Sequence, residues 1–201
     1  MALTFRTRPA IAVAAALTFF AARPGDTEAV EPEPLVVFAT AQTGETVKVR
    51  VYFEADRLVA GSPTKFAVVL DIAPDWHINA NPKGAEFQEE TAVAVKSKLG
   101  TKLSAVRYPP GTDLTIEGLD VPLKVYDRRA IVYGTITPPE NSGGQTESIA
   151  FGVRYQSCSE DGRCLAPLVE KLTGRLAVAR AGETVTPLNA ALFRTVAAKV
   201  D

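Results

Sequence analysis

The sequence predicts an all-β protein, an antiparallel β-sandwich with a short C-terminal helix. A two-residue apolar period recurs along most of the chain. Turn-forming clusters separate the periodic runs, and no long helical pattern lies between them. Parallel strands need crossover connections, usually helical, so this absence disfavours Rossmann-like and thioredoxin-like arrangements.

The elements follow in order. Met1–Pro9 carries Arg6 and Arg8 and no acid, and Ala10–Ala22 is apolar apart from Thr18. That run falls short of the roughly 20 residues a membrane span requires. A basic start, a short apolar stretch and small residues at its end predict a secretory signal over residues 1–22, with cleavage after Ala22 or as late as Ala29. Its removal takes away Arg6 and Arg8 and leaves a more acidic chain, expected in the periplasm with no direct membrane span. Residues 23–34 then read as an acidic, proline-rich linker, as Glu31-Pro32-Glu33-Pro34 illustrates.

Strand patterns begin with Val47, Val49, Val51 and Phe53, and continue with Phe66, Val68, Leu70 and Ile72. Successive strand side chains face opposite sides, so each set forms one core-facing row. Further runs lie at 92–96, 123–126, 129–136, 148–156 and 174–180. Gly61-Ser62-Pro63, Asn79-Ala80-Asn81-Pro82 and the Pro138–Gly144 stretch supply turns. The one helical period is terminal: Leu188, Ala191, Leu192, Thr195 and Val196 share a face after Thr186-Pro187, a candidate cap and first-turn proline.

Composition narrows the chemistry. The 201 residues carry a formal charge of −1, which removes the electrostatic reason to expect nucleic-acid binding. One His and two Cys cannot build a four-ligand zinc site from nitrogen and sulfur alone, so no metal and no cofactor are expected. The cysteines stand in Tyr155-Gln156-Ser157-Cys158-Ser159-Glu160-Asp161-Gly162-Arg163-Cys164, where a strand ends and five residues separate the sulfurs. This spacing lets the chain fold back far enough to bring the cysteines within disulfide reach. In an exported chain they meet an oxidising compartment. A closed loop this small contributes only about 2.4 kcal/mol by loop entropy, so spacing alone leaves a static staple and a redox-active pair both open. Local charge makes the sulfurs unequal: Arg163 adjoins Cys164 and favours its thiolate, whereas Glu160 and Asp161 follow Cys158 and oppose that one. Cys164 is therefore the expected attacking sulfur and Cys158 the resolving one.

The sequence resembles the N-terminal periplasmic domain of the DsbD family of thiol:disulfide interchange proteins. The resemblance is carried by Trp76-His77-Ile78-Asn79-Ala80-Asn81-Pro82, Tyr108-Pro109-Pro110 and Leu123-Lys124-Val125-Tyr126. Tyr155-Gln156-Ser157-Cys158 with Cys164 and Pro167 completes it, so that it spans roughly residues 36–178. The Tyr-Gln-x-Cys element with this second cysteine is its most specific part. The resemblance implies an immunoglobulin-like sandwich, here over residues 35–180, ahead of the helical tail read above, residues 181–201. It implies a dithiol that accepts electrons from a membrane-embedded donor by way of a thioredoxin-like domain. Those electrons would pass to oxidised periplasmic proteins, such as disulfide isomerases or cytochrome c maturation factors. The second cysteine, Cys164, would join the partner. A cap loop shields the pair in that family, and its equivalent here is Glu117-Gly118-Leu119-Asp120, with Leu119 where an aromatic residue is common. Ala166 stands where many relatives have a second proline. The 201 residues hold neither a multi-helix membrane segment nor a thioredoxin-like domain, so the expectation is reduction in trans or a different role.

Other candidates line the site or support it. Alternation places Trp76 and Ile78 on one face and His77 and Asn79 on the other, with His77 outward and toward the cysteine loop if Trp76 is in the core. His77 is expected to act chiefly as a structural or hydrogen-bonding group, since spacing identifies no carboxylate partner for it. Tyr126 and Tyr155 are candidate site-lining residues that also suit a half-buried sheet. Glu89-Glu90 reads as a solvated loop. The leading expectation is a protein-disulfide reductase. Its rival is a non-enzymatic exported sandwich, a binding or accessory protein with a structural disulfide.

Overall fold

The computed structural model describes residues 39–40 and 45–197. The expected signal segment and linker, and the last residues of the tail, lie outside the described residues.

The strands are β1 (Ala39–Thr40), β2 (Val47–Phe53), β3 (Leu58–Val59), β4 (Thr64–Ile72), β5 (Trp76–Asn79), β6 (Ala92–Ser97), β7 (Lys102–Arg107), β8 (Thr112–Leu114), β9 (Leu123–Asp127), β10 (Arg129–Thr137), β11 (Thr146–Tyr155), β12 (Ser157–Ser159) and β13 (Leu168–Ala179), followed by helix α1 (Ala190–Ala197). One sheet runs β1-β13-β11-β6, with β3 parallel along β13, and faces a second sheet, β2-β4-β10-β7. Together they form an immunoglobulin-like sandwich. A third sheet, β12-β5-β9-β8, carries the cysteines.

The alternating rows of β2 and β4 are buried as their period predicts, and Ile149, Phe151 and Val153 of β11 meet them from the facing sheet. Phe66 and Phe151 pack edge to face across the sandwich with ring centroids 5.0 Å apart, and Phe53 joins Phe151 at 6.0 Å. Such pairs add about 0.5–1.5 kcal/mol each beyond their burial. Gly134 of β10 lies opposite Phe66 and leaves room for its ring, since a Cβ there would sit 2.3 Å from Phe66 Cζ.

One strand pair links the sandwich to the third sheet. β4 and β10 pair through Asp71 and Arg129, and β5 and β9 resume pairing at His77 and Asp127. Between them Arg128 takes φ 54° and Asp75 φ 63°, while Arg128 O accepts the Ile72 N–H at 2.7 Å. The left-handed residues bend both strands at one level, so the ladder passes from one sheet into the next.

A buried carboxylate holds the β6–β7 turn. Glu147 is fully buried; its carboxylate accepts hydrogen bonds from the Ser97 hydroxyl, the Thr101 hydroxyl, Lys98 N at 2.9 Å and Leu99 N at 3.2 Å. Burial pushes this carboxyl up, but those hydrogen bonds outweigh it and hold the group below its ordinary value.

The structure differs from the sequence expectation in several places. β13 begins at Leu168 rather than 174, because its first turn pairs with the end of β11. β7 has no period-two pattern: a bulge opposite Tyr133–Thr135, with Ala105 at φ 50°, spaces the half-buried Leu103 and Val106 three residues apart. The helix starts at Ala190, after Asn189 at φ 52°, and Pro187 instead bridges to Ala55. Among its described side chains Phe193 is buried and Leu192 half-buried, while Ala191 of the expected face is exposed. Phe193 meets the Tyr133 ring at 6.2 Å, and Tyr133 Oη donates to Leu192 O, so α1 packs on the outer face of β10.

Gly134→Ala should cost about 1–3 kcal/mol through forced displacement of the Phe66 ring, read as a lower urea midpoint at unchanged slope. For Glu147 the folded value is depressed, so its contribution is complete above the unfolded carboxyl value and lost as pH falls through the folded one. Glu147→Gln should cost about 2 kcal/mol at neutral pH and flatten the decline in stability on acidification, measured by denaturation at a series of pH values.

Candidate functional site

Cys158 and Cys164 form a disulfide, with Cα atoms 4.0 Å apart. β12 and the returning chain make a small hairpin: Ser159 N donates to Arg163 O and Leu165 N to Ser157 O, both at 2.9 Å. These bonds flank the cysteine pair and leave it as the close, non-hydrogen-bonded kind of antiparallel pair, where Cα atoms approach to about 4.5 Å. The tip turns through Gly162 at φ 87°, and Gly162 N donates to Ser159 O. The sequence puts a residue without Cβ where the left-handed turn needs one.

The two sulfurs occupy different environments. Cys158 is 7% exposed on a strand hydrogen-bonded to β5, whereas Cys164 is exposed on the outer limb of the hairpin. Downstream of it Leu165, Leu168 and Val169 are also exposed, at 42%, 42% and 51%; Leu165 follows the accessible sulfur in the chain, while Leu168 and Val169 open β13 on opposite faces of its sheet.

A chain of side-chain amides holds the outer limb. Gln156 Nε2 donates to Leu165 O at 3.0 Å, and Gln156 Oε1 accepts from Asn79 Nδ2 at 3.1 Å. Asn79 Oδ1 in turn accepts from Gln88 Nε2 at 2.9 Å, and Gln88 Oε1 accepts the N–H groups of Gly84 and Ala85. Each amide thus donates toward the hairpin and accepts from behind. Asn79 and Gln88 are buried, so this chain replaces the water they give up. Underneath, the Thr46 hydroxyl donates to Ser157 Oγ at 2.8 Å.

The charged groups settle differently from a simple reading of sequence neighbours. The Arg163 guanidinium lies over the Trp76 ring, 5.9 Å from its centroid. The Ser159 hydroxyl and the Arg163 backbone N–H hold the Asp161 carboxyl below its usual range. Glu160 N donates to Asp75 O, and the Glu160 carboxylate acts on His77.

His77 is on the side of the cysteine hairpin and buried there, at 9% exposure, rather than open to solvent, and Trp76 is itself only half-buried. β12 pairs along the edge of β5 and brings the cysteine hairpin beside it. His77 stands directly opposite Cys158 on β12 and Asp127 on β9. Burial holds the imidazole below its ordinary range, against the upward pull of Glu160 and Asp127.

Gln156, His77 and Arg163 therefore gather around Cys158 and Cys164. Tyr126 and Tyr155 serve the framework. Tyr126 Oη accepts Asn81 N–H and lies 2.9 Å from the carbonyls of Asn81 and Pro109, one of which receives its proton. Tyr155 is buried and donates to Glu170 Oε1 at 2.7 Å. Glu117 and Leu119 lie in the exposed turn between β8 and β9, where Leu119 N donates to Ile116 O. β9 and β5 separate β8 from β12 in that sheet. Sequence reasoning missed Asp127, Asn79 and Gln88: their partners are distant in sequence and only strand register brings them in.

Gln156→Ala should free Leu165 O and strand the buried Asn79 amide, at a cost of about 1–2 kcal/mol. The Leu165 and Ser159 amides should then exchange faster with deuterium, resolved residue by residue by NMR.

Among known families, the one described as thiol:disulfide interchange protein DsbD, N-terminal, matches residues 43–174. No curated protein matches the chain by sequence. Among solved structures, the N-terminal periplasmic domain of ScsB from Proteus mirabilis is similar, with 10% identity, TM-score 0.51, 81% of this chain covered and 57% of that one. The reduced DsbD N-terminal domain of Neisseria meningitidis matches at 17% identity, TM-score 0.42, covering 72% of this chain and 92% of that chain. The same domain in complex with the PilB N-terminal domain matches at 17% identity, TM-score 0.36, over 68% and 88%. Among the described residues, no helix is long and apolar enough to cross a membrane.

Proposed function

Because this chain belongs to the DsbD N-terminal family of thiol:disulfide interchange proteins, we propose that it is a periplasmic protein-disulfide reductase working through Cys158 and Cys164. The observation that carries the reading is a disulfide closed within a surface hairpin, one sulfur exposed and the other sheltered. In a carrier, the exposed sulfur meets partners and the sheltered one resolves the mixed disulfide.

The cycle runs in two exchanges. A donor thiolate attacks Cys164 Sγ, the Cys158–Cys164 bond breaks and its electron pair goes to Cys158. The donor's second thiolate then releases Cys164 by closing the donor's own disulfide. The reduced pair next attacks an oxidised partner through Cys164, and Cys158 completes the transfer by re-forming the bond. The donor is a membrane-embedded thiol–disulfide protein, and the recipients are thioredoxin-like periplasmic proteins. The solved pairing of a DsbD N-terminal domain with a PilB N-terminal domain supports a protein partner of this kind. Exposed Leu165, which follows Cys164, is where such a partner would rest beside that sulfur. Leu119, with Glu117 beside it, is the side chain we assign to a cap, which would reach the pair by folding over β9 and β5. Export by the N-terminal segment, residues 1–22, delivers the chain to that compartment.

Cys158→Ser should trap a stable mixed disulfide through Cys164 with an oxidised thioredoxin-like protein, seen as a reducible adduct by intact mass. The wild-type potential should fall in the range of exchange proteins, about −270 to −120 mV. A value below about −300 mV together with no adduct would leave the bond as a structural bridge.

A further inference from the structure

We propose that His77 carries the proton of Cys158 during exchange, with Asp127 and Glu160 balancing the charge it gains. This rests on the exchange reading above and adds to it the group that turns a sheltered thiol into a nucleophile.

Strand register brings these groups together. Cys164 pairs with Cys158, Cys158 with His77, and His77 with Asp127, so these residues form one lateral row across the hairpin, β5 and β9. Directly opposite residues of antiparallel strands project to the same face, with Cβ atoms about 4.5–5.5 Å apart. The row therefore lays an imidazole beside the less accessible sulfur. Burial favours the neutral thiol at Cys158, which is a poor nucleophile and leaving group without a nearby base or acid. The charged groups facing His77 are Glu160 from the hairpin and Asp127 from β9. Arg128 follows Asp127 but is turned to solvent, with its side chain 91% exposed. In the disulfide form, where Cys158 carries no proton, burial holds the imidazole below its ordinary range; in the reduced protein it takes up the Cys158 proton, and the thiolate beside it then opposes that burial.

After Cys164 has joined an oxidised partner protein, the Cys158 thiol gives its proton to His77. Cys158 Sγ attacks Cys164 Sγ, and the bond between Cys164 and the partner breaks. The electron pair leaves on the partner's sulfur, so the partner is reduced and the Cys158–Cys164 pair oxidised. His77 then returns its proton to water. In the reverse direction the imidazolium protonates the departing Cys158 thiolate.

His77 is the sole histidine of the chain, so its ring proton signal is unambiguous by NMR. In the reduced full-length protein its titration midpoint should lie about one pH unit above that in reduced Cys158→Ser, because a thiolate beside it favours the imidazolium. Equal midpoints in the two proteins overturn the proposal, and this comparison leaves His77 itself unsubstituted. With oxidised glutathione as the probe, resolution of the Cys164–glutathione adduct should be at least about tenfold slower in His77→Gln than in wild type below pH 8. An unchanged rate in a folded variant also overturns it. If wild type forms no adduct at all, the exchange reading fails, while the NMR comparison still tests the pairing of His77 with Cys158.

Discussion

A one-residue slip of β5 against its neighbours would turn Ile78 out of the core and move His77 from its place between Cys158 and Asp127. Strand side chains alternate, so a single register exchanges the two faces completely. The site depends on this constraint more than on any individual contact. Register is pinned from the core side, where Ile78 is fully buried. It is pinned again from the sandwich, because the β4–β10 ladder runs into the β5–β9 ladder through the bend at Arg128 and Asp75. The phenylalanine cluster between the main sheets thus stabilises, at a distance, the row in which the cysteines lie.

The hairpin has two demands that conflict. Cys164 must be reachable, which requires an exposed limb with few apolar contacts. Its position must also be defined, and an exposed limb has little packing to define it. Hydrogen bonds from within resolve the conflict: Gln156 holds Leu165 O, Asn79 holds Gln156, and buried Gln88 holds Asn79. The polar chain fixes the backbone and leaves the sulfur uncovered. Arg163, stacked on Trp76, and Asp161, bound within the turn, tie down the hairpin's own charges.

The legible parts of the sequence were those whose physics is local. Alternation predicted the core-facing rows of β2 and β4, although β4 also buries Ala67 and Val69 on its other face. The cysteine spacing, with Gly162 at the tip, predicted a reversal that closes a disulfide. The Trp-His-Ile-Asn and Tyr-Gln-x-Cys elements together pointed to the family. β7 was not legible, because its bulge changes the spacing of Leu103 and Val106 from two residues to three. The helix was placed near the right residues, but its period did not single out Phe193, which is selected by Tyr133 on a strand some sixty residues away. Glu147 gave no signal either: a charged residue in a strand pattern reads as solvent-facing until its hydrogen-bonding turn is in view.

By itself the sequence determined a β-sandwich with a closed cysteine hairpin, because strand alternation and turn chemistry act over a few residues. It also made the two sulfurs unequal, by charge. The tertiary structure decided the environment of each sulfur, burying Cys158 against β5 and leaving Cys164 on the exposed limb. It alone decided that the single histidine stands between Cys158 and Asp127. Those three residues come from three strands, and no spacing along the chain encodes a neighbour supplied by another strand. The histidine that composition makes rare became informative only through cross-strand register.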